Sequence, residues 1–367
     1  VRREEWPFAL LMFAHVFLVI ATFWILKPLK KALFIGFYDA DGFRVAGHHF
    51  AAAEAELFAK VGNMVVAIGA VAVFTWLARR LRRERLTTAL MAFFVVADLV
   101  FAPLLAAPHP ATVWAFYLYG DLFSTLMVAA FFAFLNDSVS AEGAKRLYGF
   151  IGLGAVLGGV VGSSVLGALV KTFGPSTWML VCAGTGVAIV LIANAAGRRL
   201  PARPPEEGPA PPARADEPRR NPALEGARLV VRSPYLLAIA GIVAIYEIVS
   251  TVMDFQFTTV VAHFLDGEAI AQHLAWVFAM TNVASMLVQL FLTSTIMQRW
   301  GVGTALLVLP ATSALASLAF LATPSLWTGS ALNTADNAFS YSINQSAREA
   351  LYVPTSADEK YKAKAFI

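Results

Sequence analysis

Apolar residues in this chain neither alternate nor recur on one face of a helix; they come in long blocks separated by short polar breaks. Ten such blocks stand out, at 8–36, 58–78, 86–106, 112–135, 148–170, 175–196, 235–264, 271–298, 302–322 and 325–346. A helix crossing the hydrocarbon core of a bilayer needs about 20 consecutive apolar residues. The pattern therefore predicts an all-α polytopic membrane protein with about ten spans. The first block is too long for a straight crossing and contains Pro28, so a kinked or tilted helix is expected there. The short apolar pieces from Phe43 to Leu57 are expected to form an interfacial helix.

The polar breaks carry a topology signal. With the N-terminus in the cytoplasm, all but six of the 28 Lys and Arg lie on the cytoplasmic side. They include Arg79, Arg80, Arg82, Arg83 and Arg85, Lys145 and Arg146, and eight arginines from Arg198 to Arg232. Cytoplasmic loops are enriched in Lys and Arg, so this orientation satisfies the rule. The stretch from Arg198 to Pro222 holds eight of the eighteen prolines and no apolar run, and reads as a flexible linker. The expected organisation is a six-helix bundle at 1–197, a Pro- and Arg-rich cytoplasmic linker at 198–233, and a second bundle at 234–367 with four spans. Six helices, a long cytoplasmic linker and a second bundle make up the major-facilitator-like layout, whose two bundles rock around a central site. On that layout two further helices are expected after Ile367. Val1 is not an initiator methionine and Ile367 ends an apolar run that has just begun, so both ends are expected to continue, with room for a fused or associated soluble domain beyond the C-terminal end.

Composition narrows the classes. Apolar and aromatic residues make up 58% of the 367 and charged residues 14%, against about 45–50% and 25% in soluble domains. Mean hydropathy is +0.66. A disordered chain, a disulfide scaffold and an ordinary cytosolic enzyme are excluded. The net charge of +4 would suit nucleic acid, but the cations sit in loops between spans, so lipid and not nucleic acid is the expected partner. The single cysteine, Cys182, lies within a span and offers neither a disulfide nor a cysteine metal cluster. No cofactor is called for, and no phosphate-binding loop, His-Glu-x-x-His or nucleophile elbow occurs, so the chain reads as non-enzymatic. The Ala- and Arg-rich composition suits a bacterial inner (cytoplasmic) membrane.

Polar groups inside spans carry the chemistry, because a Lys or Asp at mid-bilayer costs about 2.5–3.5 kcal/mol. Lys27, Lys30 and Lys31 share one face of the first span at i, i+3 and i+4. Either that face lines a water-filled cavity or the helix ends early and the lysines snorkel to the outer interface. In the fourth span, Tyr117, Asp121, Ser124 and Thr125 form a stripe at helical spacing. Glu247 and Asp254 lie two turns apart on nearly one face of the seventh span, and Asn282, Ser285 and Gln289 mark the eighth. The tenth carries Asn333, Asn337, Ser340, Tyr341, Asn344 and Arg348. Each stripe could be interhelical hydrogen bonding; together with the acidic and basic residues they favour one shared polar cavity for a polar solute. Asp98 is either a cavity acid or a helix-interface partner, and His15 either a core histidine or a protonation site. The glycines crowding the fifth span, Gly149 to Gly167, read as close helix packing.

Three runs carry a family resemblance. Ile25-Leu-Lys-Pro-Leu-Lys-Lys-Ala-Leu33 resembles the first-helix signature of the ATP/ADP translocases of plastids and obligate intracellular bacteria. Ala144-Lys-Arg-Leu-Tyr148 and Arg348-Glu-Ala-Leu-Tyr-Val-Pro354, running on to Lys360–Ala365, are similar to that family as well. The resemblance implies a major-facilitator-like fold and nucleotide exchange. It places the family's phosphate-contacting lysine on Lys30, its fourth-helix acid on Asp121, a methylene shorter, and its seventh-helix glutamate on Glu247. The aromatic and lysine expected after that glutamate are missing, and Lys31 replaces an acid. On this reading Lys27, Lys30 and Lys31 neutralise phosphates, and lysine–carboxylate pairs form when the site is empty. The leading function is antiport of nucleotides of the ATP and ADP type. The alternatives are transport of another anionic or zwitterionic solute, proton-coupled through Asp121 or Glu247, and a non-transporting subunit of a larger assembly.

Overall fold

The computed structural model describes residues 4–81, 83–139, 141–199, 228–352 and 355. The bulk of the 198–233 linker and the Lys360–Ala365 motif fall outside the described residues, as do Val353 and Pro354. The described chain is almost wholly helical. It comprises α1 (Trp6–Tyr38), α2 (Ala52–Arg80), α3 (Arg83–Leu104), α4 (Pro110–Ser138), α5 (Ala141–Leu169), α6 (Pro175–Gly197) and α7 (Pro234–Phe264). These are followed by α8 (Glu268–Leu287), α9 (Ser294–Ala322), α10 (Leu326–Phe339) and α11 (Gln345–Leu351). Wide turns at Val288–Thr293 and Ser340–Asn344 join α8 to α9 and α10 to α11 without breaking the helix.

Among the described residues, eight helical stretches are long and apolar enough to cross a membrane. One of them, Glu268–Ala322, runs 55 residues, about 80 Å at 1.5 Å per residue, far beyond one crossing. Gly301 interrupts it at φ 82°, ψ 171°, a conformation that costs a residue with a Cβ dearly. The break falls between the spans expected at 271–298 and 302–322. Helix α1 continues through Pro28. At 33 residues it is about 50 Å long, so a bilayer holds it tilted or lets its ends protrude.

The interfacial helix expected between Phe43 and Leu57 does not form. Phe43–Val45 and His48–Phe50 are antiparallel strands, with Val45 opposite His48 and Phe43 opposite Phe50. Ala46 (φ 49°) and Gly47 (φ 83°) make the two-residue turn, the geometry whose twist matches a hairpin. Two glycines within six residues, both at positive φ, weaken any helix there. Helix α2 consequently starts at Ala52, with the Ala51 N–H donating to Glu54 Oε2 at 2.8 Å.

Contacts divide the chain into two compact units, residues 1–200 with 258–283, and residues 201–257 with 284–367. In the first, α1 is the hub, packed on α5, α4, α6 and α2. The approach of α1 to α5 is what the glycines permit. A Cβ on Gly154 would lie 2.7 Å from the Phe13 carbonyl oxygen, and Cβ atoms on Gly158 and Gly162 would run into the Phe17 and Ala21 backbones. Met12, Val16, Phe131, Phe134, Leu147 and Ala193 close one end of this unit as an apolar core. In the second unit, α9, α10 and α11 pack with the two wide turns, around Ile296, Ala305, Ile343 and Ala347.

Candidate functional site

Chain geometry on α1 and α4 places the first cluster. Lys30 and Lys31 are successive residues of α1, so they point about 100° apart and reach different neighbours. Lys30 forms an ion pair with Asp121 of α4, and its ammonium lies 4.1 Å from the centroid of the Tyr117 ring. Tyr117 and Asp121 are one turn apart on α4, so the aromatic face and the carboxylate address the same ammonium. Lys31 turns to Glu56 of α2, at 3.5 Å. Lys27 lies one turn before Lys31 and sits over the rings of Trp24 (4.6 Å) and Phe278 (4.9 Å). An aromatic cradle of this kind holds an ammonium by about 0.5–2 kcal/mol.

Glu56 is the residue that inspection of apolar blocks missed, because it sits in the flank assigned to an interfacial helix. Its carboxylate is buried, takes Lys31 on one side and Lys60 (3.7 Å) on the other, and accepts hydrogen bonds from Tyr117 (2.8 Å) and Thr258 (3.1 Å). The one available signal was the spacing Glu56–Lys60, an i,i+4 pair at the foot of a span. Lys30 and Lys31 are each about 5% exposed, so they neither snorkel nor stand in open water. Carboxylates on two other helices meet them instead, Glu56 buried and Asp121 partly open.

The remaining fourth-span hydroxyls have a local role: Ser124 and Thr125 donate to the backbone carbonyl of Asp121. Asn282 donates to the Phe278 carbonyl (3.0 Å), and its side-chain oxygen fills the space above Gly159, where a Cβ would meet it at 2.9 Å. Asp98 is an interface partner: Tyr119 of α4 donates to it at 2.5 Å across from α3. His15 is a core residue between Phe131 and Phe134, and neither ring nitrogen has a hydrogen-bond partner.

A second cluster lies in the other unit. Asp254 of α7 receives the Asn333 amide at 3.4 Å. Asp336, which sequence inspection passed over, is buried and accepts from Ser250 (2.8 Å) and Ser313 (3.4 Å). Tyr246 donates to Ser340 (2.5 Å), and the Arg348 guanidinium lies 5.5 Å from the Tyr246 ring. Glu247 is exposed two turns from Asp254. Gln289 accepts from Thr293 within the wide turn, and Asn337 donates to the Asn333 carbonyl of its own helix. Asn344 is buried, with its amide nitrogen unpartnered. Among the described residues, no group of three or more His, Cys, Asp or Glu could hold a metal ion.

Membrane-length helices with buried ammonium–carboxylate pairs between them define a multi-pass helical membrane protein with internal ionic sites. The chain belongs to the major facilitator superfamily, whose family profile matches residues 8–347. Among curated proteins it is similar to ADP,ATP carrier protein 1, chloroplastic, of Arabidopsis thaliana, at 23% identity over 83% of this chain and 58% of the relative. A plastidic ATP/ADP-transporter of Solanum tuberosum matches at 23% identity, over 83% of this chain and 57% of its own length. The chain thus spans little more than half the length of these relatives. Among solved structures, a bacterial homolog of the human lysosomal transporter Spinster, inward-facing and unoccupied, superposes with a TM-score of 0.57 at 16% identity, covering 100% of this chain and 79% of that one. A POT family transporter gives a TM-score of 0.54 at 12% identity, over 97% and 86%. Both show the fold.

Proposed function

We propose that the chain is a membrane transporter that exchanges nucleotides, or closely related phosphate-bearing anions, with Lys30 as the principal phosphate contact and Lys27 and Lys31 beside it. One observation carries the reading. Lys30 meets Asp121, Lys31 and Lys60 meet Glu56, and Lys27 lies over the Trp24 ring, so three ammonium–carboxylate contacts gather where α1, α2 and α4 pack. Charged groups inside apolar helices are expensive and mark solute pathways. Lysine binds phosphate as a point charge, so a multiply charged anion can exchange for a carboxylate there. Asp121 is the displaceable member, with a quarter of its side chain open. When phosphate takes Lys30, Asp121 is released; when phosphate leaves, Asp121 returns. A cycle in which Lys30 is never without a partner favours exchange over one-way flux.

The similarity to relatives named as ADP,ATP carriers supports this choice of anion, as does the Ile25–Leu33 run. A second reading, another anionic or zwitterionic solute on the same fold, is favoured by the sequence after Glu247, which lacks the aromatic and lysine of the nucleotide carriers. On the same reading the protein sits in a bacterial inner membrane, which its Ala- and Arg-rich composition suits, with a cytoplasmic N-terminus, which its Lys and Arg distribution supports.

Proteoliposomes holding the full-length protein, preloaded with ADP, ATP or buffer, test the proposal by uptake of labelled ATP. Uptake that requires internal nucleotide and is lost in Lys30→Ala is expected. Folded protein with no uptake under any loading overturns the nucleotide reading.

A further inference from the structure

Lys30 has two partners on α4, and they are held with unequal firmness. Asp121 pairs with its ammonium but keeps a quarter of its side chain open. Tyr117 turns the face of its ring to the same ammonium at 4.1 Å and is itself buried. That ring is fixed from two sides: the Phe34 ring packs on it at 5.1 Å, and its phenol donates to Glu56 Oε1 at 2.8 Å. Glu56 is anchored in turn, buried at the foot of α2 between Lys31, Lys60 and the Thr258 hydroxyl. The stem of Lys30 runs along the α4 backbone between its two partners. A Cβ on Gly120 would lie 2.7 Å from Lys30 Cδ, so a side chain at that position would crowd the stem.

We infer that Glu56 is a positioning residue for Lys30, acting through the Tyr117 phenol, so that the ammonium stays in place when Asp121 gives way to an anion. The inference rests on the reading of Lys30 as the phosphate contact. An ammonium is attracted to the negative face of an aromatic ring. A hydrogen bond to a carboxylate is roughly twice as strong as a neutral one, and hydrogen-bonded groups polarise one another in a low-dielectric interior. A phenol that donates to Glu56 is thus locked in angle, and electron density drawn toward its ring strengthens the face turned to Lys30. Asp121 then leaves and returns while Lys30 remains where it is. Without the Glu56 anchor, a flexible four-carbon side chain would follow Asp121 toward its open side. An incoming anion would then have to order that side chain at the moment of binding, which weakens binding.

The test follows reductive methylation of single lysines by mass spectrometry, with the full-length protein in lipid nanodiscs and the exposed Lys171 as rate standard. Tyr117→Phe keeps the ring and removes the donor. Glu56→Asp keeps the counter-charge for Lys31 and Lys60 but withdraws the acceptor by a methylene. Each should speed methylation of Lys30 by about three- to tenfold, the range of one cation–ring contact, and the double variant should be no faster than either single one. Lys27, held by Trp24 and Phe278 instead, should keep its rate, which a general loosening of the bundle would not allow. An unchanged Lys30 rate in either variant, multiplied effects in the double, or Lys27 accelerating in step overturns the inference. The two variants break one hydrogen bond from opposite ends, so either decides the matter if the other does not fold. A second arm adds inorganic pyrophosphate. Protection of Lys30 in the unaltered protein, at a concentration raised by a similar factor in the variants, is expected. Faster methylation in the variants with no protection by pyrophosphate or ATP sinks the nucleotide reading and leaves the positioning role standing. Protection with variants that match the unaltered protein does the reverse.

Discussion

Lys30 and Asp121 form an ion pair between α1 and α4, yet they are unequally sheltered, with side-chain exposures of 6% and 25%. Breaking the pair from its two ends therefore has unequal costs. Asp121→Asn strands a buried ammonium, for which removal of the partner costs about 3–5 kcal/mol. Lys30→Met leaves a carboxylate that water can reach, and the cost falls toward the roughly 0–1 kcal/mol of an exposed pair. Unfolding of the two variants in nanodiscs should place Asp121→Asn well below Lys30→Met. Equal destabilisation would contradict the asymmetry.

Glu56 holds the other lysine. Glu56→Gln keeps an acceptor for Tyr117 and Thr258 but removes the negative charge that faces Lys31 and Lys60, so it should destabilise more than Lys31→Met does. The double variant should recover part of the loss, with a coupling of about 0.5–3 kcal/mol. A strictly additive cycle would mean that the 3.5 Å contact is not energetically felt.

His15 predicts the opposite sign. Its two nitrogens are buried among Phe131 and Phe134 without partners, and an apolar ring of similar shape removes that penalty. His15→Phe should be neutral or stabilising by up to about 1–3 kcal/mol, with uptake unchanged. A large loss of stability would show that a partner such as a bound water satisfies the imidazole.

The α1–α5 approach makes a further distinction among glycines. A Cβ on Gly158 meets the Phe17 backbone, whereas one on Gly184 of α6 meets nothing within 4 Å. Gly158→Ala should lower the yield of folded protein, because backbone cannot move aside cheaply. Gly184→Ala should be tolerated or gain roughly 0.5–1 kcal/mol from the better helix former. Size-exclusion profiles of the two purified variants read the difference directly.

Much of the fold was visible in the pattern of apolar blocks. The block at 175–196 coincides with α6 almost to the residue, the block at 302–322 matches the part of α9 beyond Gly301, and Gly301 splits the long stretch where the pattern divides it. The site was visible only in part. Lys30, Tyr117 and Asp121 betrayed themselves by being polar inside apolar runs, and they do meet. Glu56 and Asp336 did not: one lay in a polar flank, the other among so many Asn and Ser that it stood out no further. The hairpin at Phe43–Phe50 was lost for a different reason, since six residues are too few for period-2 alternation to assert itself against neighbouring helices.

Helical spans are local quantities. Each helix satisfies its own backbone and must be apolar along its whole length, so a linear reading captures where they fall. Partnerships are not local. Tyr117 finds Glu56 across 61 positions and Ser250 finds Asp336 across 86, and no periodicity along one helix specifies which face of another it will meet. Three lysines on one face of α1 pointed to a shared polar cavity. Only packing decided that Asp121 meets Lys30, that Glu56 meets Lys31 and that the Trp24 and Phe278 rings meet Lys27, because a buried ammonium is stabilised by the counter-charge or aromatic face that tertiary structure brings to it.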